Sequence, residues 1–594
     1  MCAVKLAVAL QLPLFVDEAF YWQEGRHLEW AYSDLPGLTA WLAWLGTSLG
    51  GNHALALRLP FLLIGALIPW LMVRMATREF DARTGWQAGS LSLLLPLAGS
   101  MGLLALPDAP LLLATALCLD SSLRLLRQVD GFAATELALG LAIGGLSHYR
   151  FAAVILIGFI ALLALPAGRR ALRSRSSWLA IAVGALAWLP LLLWNFQHAD
   201  AGLQFQLIDR HPWQFSSEGV RLGRMQLLLA TPLLLVGMAL AAWRGLRDRG
   251  SDASRYLALC GSMIVLGFLA LGFFSDRERV SFHWPLPGYL ALLPLVPFVL
   301  ARWSRGWRIA TWVTAGLGLV AVLGYYAIAS VPAVREQTAS RNFHPTNFAG
   351  WNALADAVQA RLAVMPPHTR LVAGDFKVGA ELGFALEAAD IPVLEHVLNA
   401  KHGRAPQLAL WELLRQRIEV HAGNPVLLVV AATHVEFGDL LNYYHRLCQQ
   451  VGPLPPPQVL NIDHGRQRFL LFALDGRAPA SACTTPALAF LDAPGASATV
   501  GATFDVKGWA FKDGVGLASV EILLDGGVVA TAKYGESKPD VTGFWKISSD
   551  PQQPRVGFSA RITGAAPGGH WLGLRLHGAD GSVEDWAEQR ITVR

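Results

Sequence analysis

The sequence predicts a polytopic α-helical membrane protein with an α/β domain and a β-sandwich at its C-terminal end. Three observations lead there. Of the 594 residues, 54% are hydrophobic and 15% are charged, whereas an ordinary soluble domain carries about 25% charged residues. Apolar runs such as Phe61 to Val73, Trp178 to Trp194 and Leu257 to Phe274 approach the roughly 20 residues that a bilayer core requires. Beyond residue 330 the pattern changes, first to alternating helix and strand pieces, then to short strands of period two.

In chain order, spans are expected near 4–16, 55–75, 86–106, 108–127, 132–147, 151–166, 177–194, 224–243, 257–274, 285–301 and 307–328, about 11 transmembrane helices in all. The stretch 36–50 is apolar and holds Trp41 and Trp44. It is short for a crossing and reads as an interfacial helix. The first span is also short, and no small-residue cleavage site follows it, so it does not read as a cleaved signal peptide.

The arginines orient the bundle. Arg74, Arg78 and Arg83 follow the second span, and Arg124 and Arg127 close the fourth. Arg169, Arg170, Arg173 and Arg175 follow the sixth, Arg244, Arg247, Arg249 and Arg255 the eighth, and Arg302, Arg305 and Arg308 the tenth. Basic residues collect in cytoplasmic loops, so alternate loops are expected inside. The loops holding Asp17, Asp108, His148, Asn195 and His283 then share the outer face, with everything after residue 330. The formal net charge of +5 reflects this topology and gives no reason to expect nucleic acid as a partner.

Residues 1–330 thus form the membrane domain. Residues 331–480 fit a periplasmic α/β domain: Leu371 to Gly374 precedes a helix expected from Val378 to Ala385, and Pro425 to Ala431 and Phe469 to Leu474 read as buried strands. Residues 487–594 hold about seven short strands, as in an Ig-like β-sandwich. There, Asp525-Gly526-Gly527 between two apolar runs signals a hairpin. Arg477 to Pro486 is the expected linker. Cys2, Cys118 and Cys260 lie in or near the spans and read as small buried residues. Cys448 and Cys483 fall in the outer part, where an oxidising compartment permits a disulfide without the sequence establishing one.

Ionisable residues at a membrane are costly and mark function by default. The first group is Asp17-Glu18-Ala19-Phe20-Tyr21-Trp22 at the end of the first span. Adjacent helical residues do not share a face, so one acid of the pair, Asp17, is the candidate general base, with Glu18 beside it. Acids also suit a helix N-terminus in any case. Tyr32-Ser33-Asp34-Leu35-Pro36-Gly37 follows in the same loop, where Tyr32 and Asp34 are candidate contacts, though the same residues suit a turn. Asp108, between Pro107 and Pro110, is a candidate to orient an acceptor or, with Asp34, to hold a divalent metal ion. His148-Tyr149-Arg150 offers a cation for a phosphate or an interfacial anchor. Asn195 closes another outer loop. Arg277, Arg279 and His283 lie where positive charge is not expected and are candidates for a phosphate clamp. Absent are a Gly-x-x-x-x-Gly-Lys phosphate loop, any Asp-x-Asp and any paired Cys or His zinc signature.

Taken in order, these motifs resemble the polytopic GT-C glycosyltransferases, above all the bacterial relatives of protein O-mannosyltransferases and of the aminoarabinose transferases of lipid A. The matching residues are Asp17 to Trp22, Tyr32 to Pro36, Pro107 to Pro110, Leu193-Trp194-Asn195 with Gln204 to Leu207, and His283-Trp284-Pro285, within about residues 10–475. The resemblance implies a multi-pass protein of the bacterial inner membrane with periplasmic C-terminal domains. It implies a sugar donor carried on a polyprenyl (undecaprenyl) phosphate, and an envelope acceptor that is lipid A, another glycan or a protein. Asp17 would activate the acceptor hydroxyl, with inversion at the anomeric carbon, and Glu18 and Asp108 would complete the catalytic acids. Tyr21, Tyr32, Asp34, His148, Tyr149, Arg150, Asn195, Arg277, Arg279 and His283 would contact substrates. The sequence departs from the family at Asp34-Leu35-Pro36-Gly37 and at His148, where a lysine is common. Two other readings compete: a lipid or sugar transporter or flippase, which would place its charges near the bilayer midplane, and a non-catalytic envelope scaffold.

Overall fold

The computed structural model describes residues 1–199, 201–209, 213–274, 281–341, 343, 345–421, 423–475 and 483–594. They form two compact units, Met1–Ser330 and Val331–Arg594.

The first unit is helical. Among the described residues, five helices are long and apolar enough to cross a bilayer: Ala54–Glu79, Asp108–Arg127, Arg175–Gln197, Asp252–Phe274 and Arg305–Ala329. Shorter apolar helices are Cys2–Gln11, Gly131–Ser147, Phe151–Ala164 and Leu286–Leu300. The expected interfacial segment is the helix Leu38–Gly50.

Two expected spans are broken, each at a proline. The 224–243 stretch is the pair Glu218–Leu229 and Pro232–Arg247, bent by 105°. Thr231 takes a left-handed φ of 60°, and Pro232 has no N–H to continue the ladder. The 86–106 stretch ends as a helix at Leu94, and a short turn restarts at Pro96.

Asp108–Arg127 is the central helix of the unit. Its apolar window is 78% buried, against 22% to 44% for the other four long helices. It packs closely on Gly131–Ser147, where a Cβ on Gly140 would come 2.8 Å from Cys118 Sγ. Near its C-terminal end lies Asp120, whose side chain is fully buried. It binds Arg74 and takes Arg78 at 2.6 Å. Glu136 pairs with Arg74 and, at 3.5 Å, with Arg124. Arg74, Arg78 and Arg124 are therefore held by carboxylates as well as carrying the topological signal.

The second unit contains a six-stranded sheet ordered Leu414–Arg415, Val393–Leu394, Arg370–Ala373, Val426–Ala431, Gln467–Leu474, Gln458–Ile462. The first four strands run parallel; Gln467–Leu474 runs antiparallel to Val426–Ala431, and Gln458–Ile462 antiparallel to Gln467–Leu474. Val426–Ala431 is buried at every position, which explains its unbroken apolar run. Beyond residue 487, two further sheets form a β-sandwich. Its interior holds Val506, Val520, Ile522, Phe558, Leu574 and Ile591. The expected hairpin joins Leu517–Leu524 to Gly527–Thr531, with Asp525 and Gly526 at φ of 51° and 79°, the signs that a type I′ turn demands. Trp509, Phe511 and Trp545 of the sandwich pack in one cluster with Leu428, Tyr444, Leu447 and Phe472 of the α/β part. Cys448 and Cys483 are joined as a disulfide. Most of the expected linker, 477–482, lies outside the described residues.

Asp375 caps the helix Phe376–Leu386, accepting from Lys377 N at 2.9 Å, while His434 Nδ1 donates to its other oxygen at 2.8 Å. Burial pushes the carboxyl pKa up, but the charge and hydrogen bond of His434, with His396 and Lys377, outweigh it and hold it well below the usual range. A depressed folded-state pKa adds stability above the unfolded value of about 3.9 and loses it as pH falls through the folded one. Asp375→Asn is therefore expected to lower the melting temperature at pH 7, by the equivalent of about 1–3 kcal/mol. The gap to the parent protein should narrow in melts run progressively below about pH 4. A gap that is the same at both pH values would refute this account.

Candidate active site at the end of the Asp108–Arg127 helix

Asp108 is the first residue of the central helix, directly after Pro107, where a helix dipole favours a carboxylate. Its Oδ1 receives Nη2 of Arg150 at 2.8 Å and Nε2 of His283 at 3.1 Å. The three side chains come from three separate connections. Arg150 lies between the helices ending at Ser147 and beginning at Phe151, and His283 precedes the helix starting at Leu286. His148 fixes its own loop by accepting the Arg150 backbone N–H on Nδ1 at 3.1 Å. The Arg150 guanidinium rests 5.7 Å from the Trp284 ring.

Asp108, Arg150 and His283 line a narrow pocket with Leu111, Val154 and Phe268, with a volume of about 10 Å³. That is room for about one water. Anything larger, a phosphate included, enters only if the Asp108–Arg150 pair opens. The polar groups already sit where an anion would compete with Asp108 for the same donors.

The first acid pair splits into two environments. Asp17 is half-buried in the first turn of Val16–Arg26. Glu18 is fully buried against Arg58, which is itself fully buried. Arg58 donates Nε to Oε1 at 2.8 Å and Nη2 to Oε2 at 2.6 Å. Its remaining N–H groups reach the carbonyls of Ala9, Leu12 and Pro13. Glu18 also takes the backbone N–H of Phe15 at 2.9 Å and of Ala105 at 2.7 Å. Four bonds hold this carboxylate in place. Through Ala105, they tie the helix carrying Asp17 to the segment leading into Asp108.

A second set gathers near Asp34. Gln206 donates Nε2 to the Asp34 carbonyl at 2.7 Å. Burial pushes the pKa of the Tyr149 hydroxyl up, and the Asp34 charge adds to the rise against the hydrogen bond from Asn195. Asn195 donates Nδ2 to that hydroxyl at 2.9 Å and accepts the Leu203 N–H at 3.0 Å. Gly202 lies so close that a Cβ there would meet the Tyr149 oxygen at 2.4 Å. Tyr32 is fully buried. Its hydroxyl donates to the Glu24 carbonyl at 2.8 Å and accepts the Glu29 N–H at 3.1 Å, so it pins the loop backbone. Tyr21 is buried on its helix. Arg277 and Arg279 lie outside the described residues.

For a divalent metal the fit is poor. Among the described residues no three His, Cys, Asp or Glu side chains cluster for an ion. Asp108 already neutralises a guanidinium, so no step is derived through a metal. Arg58, which shapes the site, is not among the residues the sequence singles out, and Gln206 stands there only within the Gln204 to Leu207 motif, without its contact to Asp34. Arg58 had a signal: it is an ionisable residue inside an apolar run.

A family model described as dolichyl-phosphate-mannose-protein mannosyltransferase matches residues 34–194. The chain is 27% identical over 304 residues to the lipid A galacturonosyltransferase RgtD of Rhizobium johnstonii, covering 50% of this chain and 63% of that protein. Among solved structures it is similar to ArnT from Cupriavidus metallidurans in the apo state, with a TM-score of 0.56 and 14% identity over 79% of this chain and 96% of that one. The same enzyme bound to undecaprenyl phosphate gives a TM-score of 0.53 and 15% identity over 80% and 97%. The chain therefore has the GT-C fold of the glycosyltransferases it matches.

Proposed function

We propose that this protein is an inverting glycosyltransferase of the bacterial inner membrane. It would move a sugar from a polyprenyl phosphate carrier to a hydroxyl of an envelope acceptor at the outer face. The observation that carries the reading is the meeting of Asp108, Arg150 and His283 from three connections at one end of the bundle, tied to the Asp17 helix through Glu18 and Ala105. The opposite end carries the arginines that mark a cytoplasmic side. Support comes also from the relatives: RgtD is named for transfer to lipid A, and ArnT has been solved with undecaprenyl phosphate.

In this reading the carrier phosphate displaces Asp108 and takes the charge-assisted hydrogen bonds of Arg150 and His283, which Asp108 holds in place until the donor arrives. Asp17 accepts the proton of the acceptor hydroxyl. The oxygen attacks the anomeric carbon, the bond from that carbon to the phosphate oxygen breaks, and the carrier leaves as the polyprenyl phosphate. Glu18 acts as a positioning residue, holding the Asp17 helix against Arg58. Asp34, Tyr149, Asn195 and Gln206 shape the adjoining wall. Lipid A is the acceptor class the relatives favour.

Comparing envelope glycolipids by mass spectrometry in cells with and without the gene tests the reading. A glycoform that disappears supports it, and unchanged glycolipids, glycans and proteins defeat it. A finer check is kinetic. Arg150→Gln is expected to raise KM for the lipid-linked donor about 10–100-fold, the worth of a charged hydrogen bond. Arg150→Lys should recover part of the loss, since it keeps the charge but not the fork. An unchanged KM in Arg150→Gln removes Arg150 from the phosphate site.

A further inference from the structure

A larger pocket lies at the other end of the Met1–Ser330 unit. The helix Asp252–Leu271 runs from Ser254 in this pocket to Phe268 beside Asp108, a rise of about 21 Å at ~1.5 Å per residue. The pocket has a volume of about 520 Å³. Arg244, Arg247 and Arg302 line it, with Phe80, Trp243 and Phe298 as apolar walls.

Its arginines differ from those along the Asp108–Arg127 helix. Arg74, Arg78 and Arg124 are bound by Asp120, Glu136 and Glu79. Among the described residues no carboxylate pairs with Arg244, Arg247 or Arg302. Nη1 of Arg244 is out of solvent contact and has no hydrogen-bond partner among the described residues. A buried donor left so is costly. Arg247 instead lies 4.2 Å from the Trp243 ring centre. The one acid in the lining, Asp248, accepts the N–H of Gly250 in its own turn. Ser251 caps the helix that begins at Asp252, and that N-terminus adds a further positive field.

Positive charge at the membrane surface, a buried donor without an acceptor and aromatic walls together fit one ligand chemistry, a phosphodiester with apolar chains attached. We propose that this pocket binds the headgroup of an anionic membrane lipid in the leaflet opposite the Asp108 site. Basic pockets between membrane helices on the cytoplasmic side bind such headgroups. Arg244 and Arg302 hold the phosphate, and Trp243, Phe80 and Phe298 pack on the acyl and glycerol portions. This assignment stands apart from the proposed transferase activity.

The test uses the full-length protein in detergent micelles, titrated with phosphatidylglycerol, with phosphatidylcholine and with inorganic phosphate. Binding is read by native mass spectrometry and by the melting temperature. Phosphatidylglycerol is expected to bind and raise the melting temperature, and phosphatidylcholine and inorganic phosphate are not. The double variant Arg244→Ala with Arg302→Ala should weaken phosphatidylglycerol binding about thirtyfold, the loss expected for two arginines at a lipid surface. Arg305→Ala, at the same end but outside the lining, should leave it unchanged. If the double variant does not fold, Arg302→Gln at an exposed position carries the comparison with a smaller drop. Equal binding of phosphatidylcholine, equal weakening by Arg305→Ala, or an inorganic phosphate response in place of the lipid response would each overturn the assignment.

Discussion

Asp17→Asn is expected to cut sugar transfer by about 10²–10⁴-fold, the usual contribution of a positioned general base, while the protein inserts and melts as before. The substitution keeps the shape of the side chain and removes its basicity. Asp17 is half-buried in the first turn of its helix, where Glu18 bonds Arg58 and the Ala105 N–H. The loss should therefore fall on kcat, with the donor KM little changed, since the proton moves only in the transition state. Transfer from a lipid-linked sugar to acceptor in detergent is the measurement. A variant that transfers at the parental rate removes Asp17 from the chemistry. A scaffold would keep its cellular phenotype with asparagine at this position, and an enzyme would not.

Arg58→Ala is expected to be the most damaging change to folding, costing about 3–5 kcal/mol against a total stability on the order of 5–15 kcal/mol. It leaves Glu18 as an uncompensated charge with no solvent exposure. It also frees the carbonyls of Ala9, Leu12 and Pro13, so the first helix loses its hydrogen bonds to Arg58 of Ala54–Glu79. Removing both charges, as Arg58→Met with Glu18→Leu, should recover much of the loss, because well-packed apolar side chains can replace a buried pair. The double variant should still transfer poorly, since the bond from Ala105 N–H to Glu18 is gone and the approach to Asp108 is no longer tied to the Asp17 helix. Melting temperatures and yields of the two variants and the parent protein in detergent decide this. If Arg58→Ala melts with the parent protein, the pair does not hold Cys2–Gln11, Val16–Arg26 and Ala54–Glu79 together.

The legible parts of the fold were those where local chemistry leaves one answer. A bilayer satisfies no backbone polar groups, so long apolar runs become helices. Val426–Ala431 reads as a buried strand because both faces of a parallel sheet are covered. Asp525-Gly526 reads as a turn because the conformation requires positive φ. The bends at Thr231-Pro232 and Leu95-Pro96 were less legible. Proline is tolerated inside membrane helices, and Ala54–Glu79 contains Pro60 and Pro69 without breaking. Whether a proline bends a helix depends on what packs beside it.

The candidate site divides along the same line. Asp17, Asp108, Arg150 and His283 stood out singly, because charge near a membrane is costly wherever the helices finally pack. The arginine pattern put their loops on one face, but it did not give their pairing. Asp108 and Arg150 lie 42 positions apart in the chain, and Glu18 and Arg58 lie 40 apart. Nothing in either local segment states which partner it will meet.

By itself, then, the sequence determined the protein's class: a helical membrane unit with charged groups between its spans, followed by mixed and all-β parts. It did so because hydropathy, turn geometry and charge cost are properties of short segments. Only the tertiary structure decided that Glu18 belongs to Arg58, that Asp108 gathers Arg150 and His283, and that Arg74 and Arg124 are paired with carboxylates while, among the described residues, Arg244 is not. Those outcomes depend on which helix faces meet, and a buried charge takes its role from the partner that packing brings within reach.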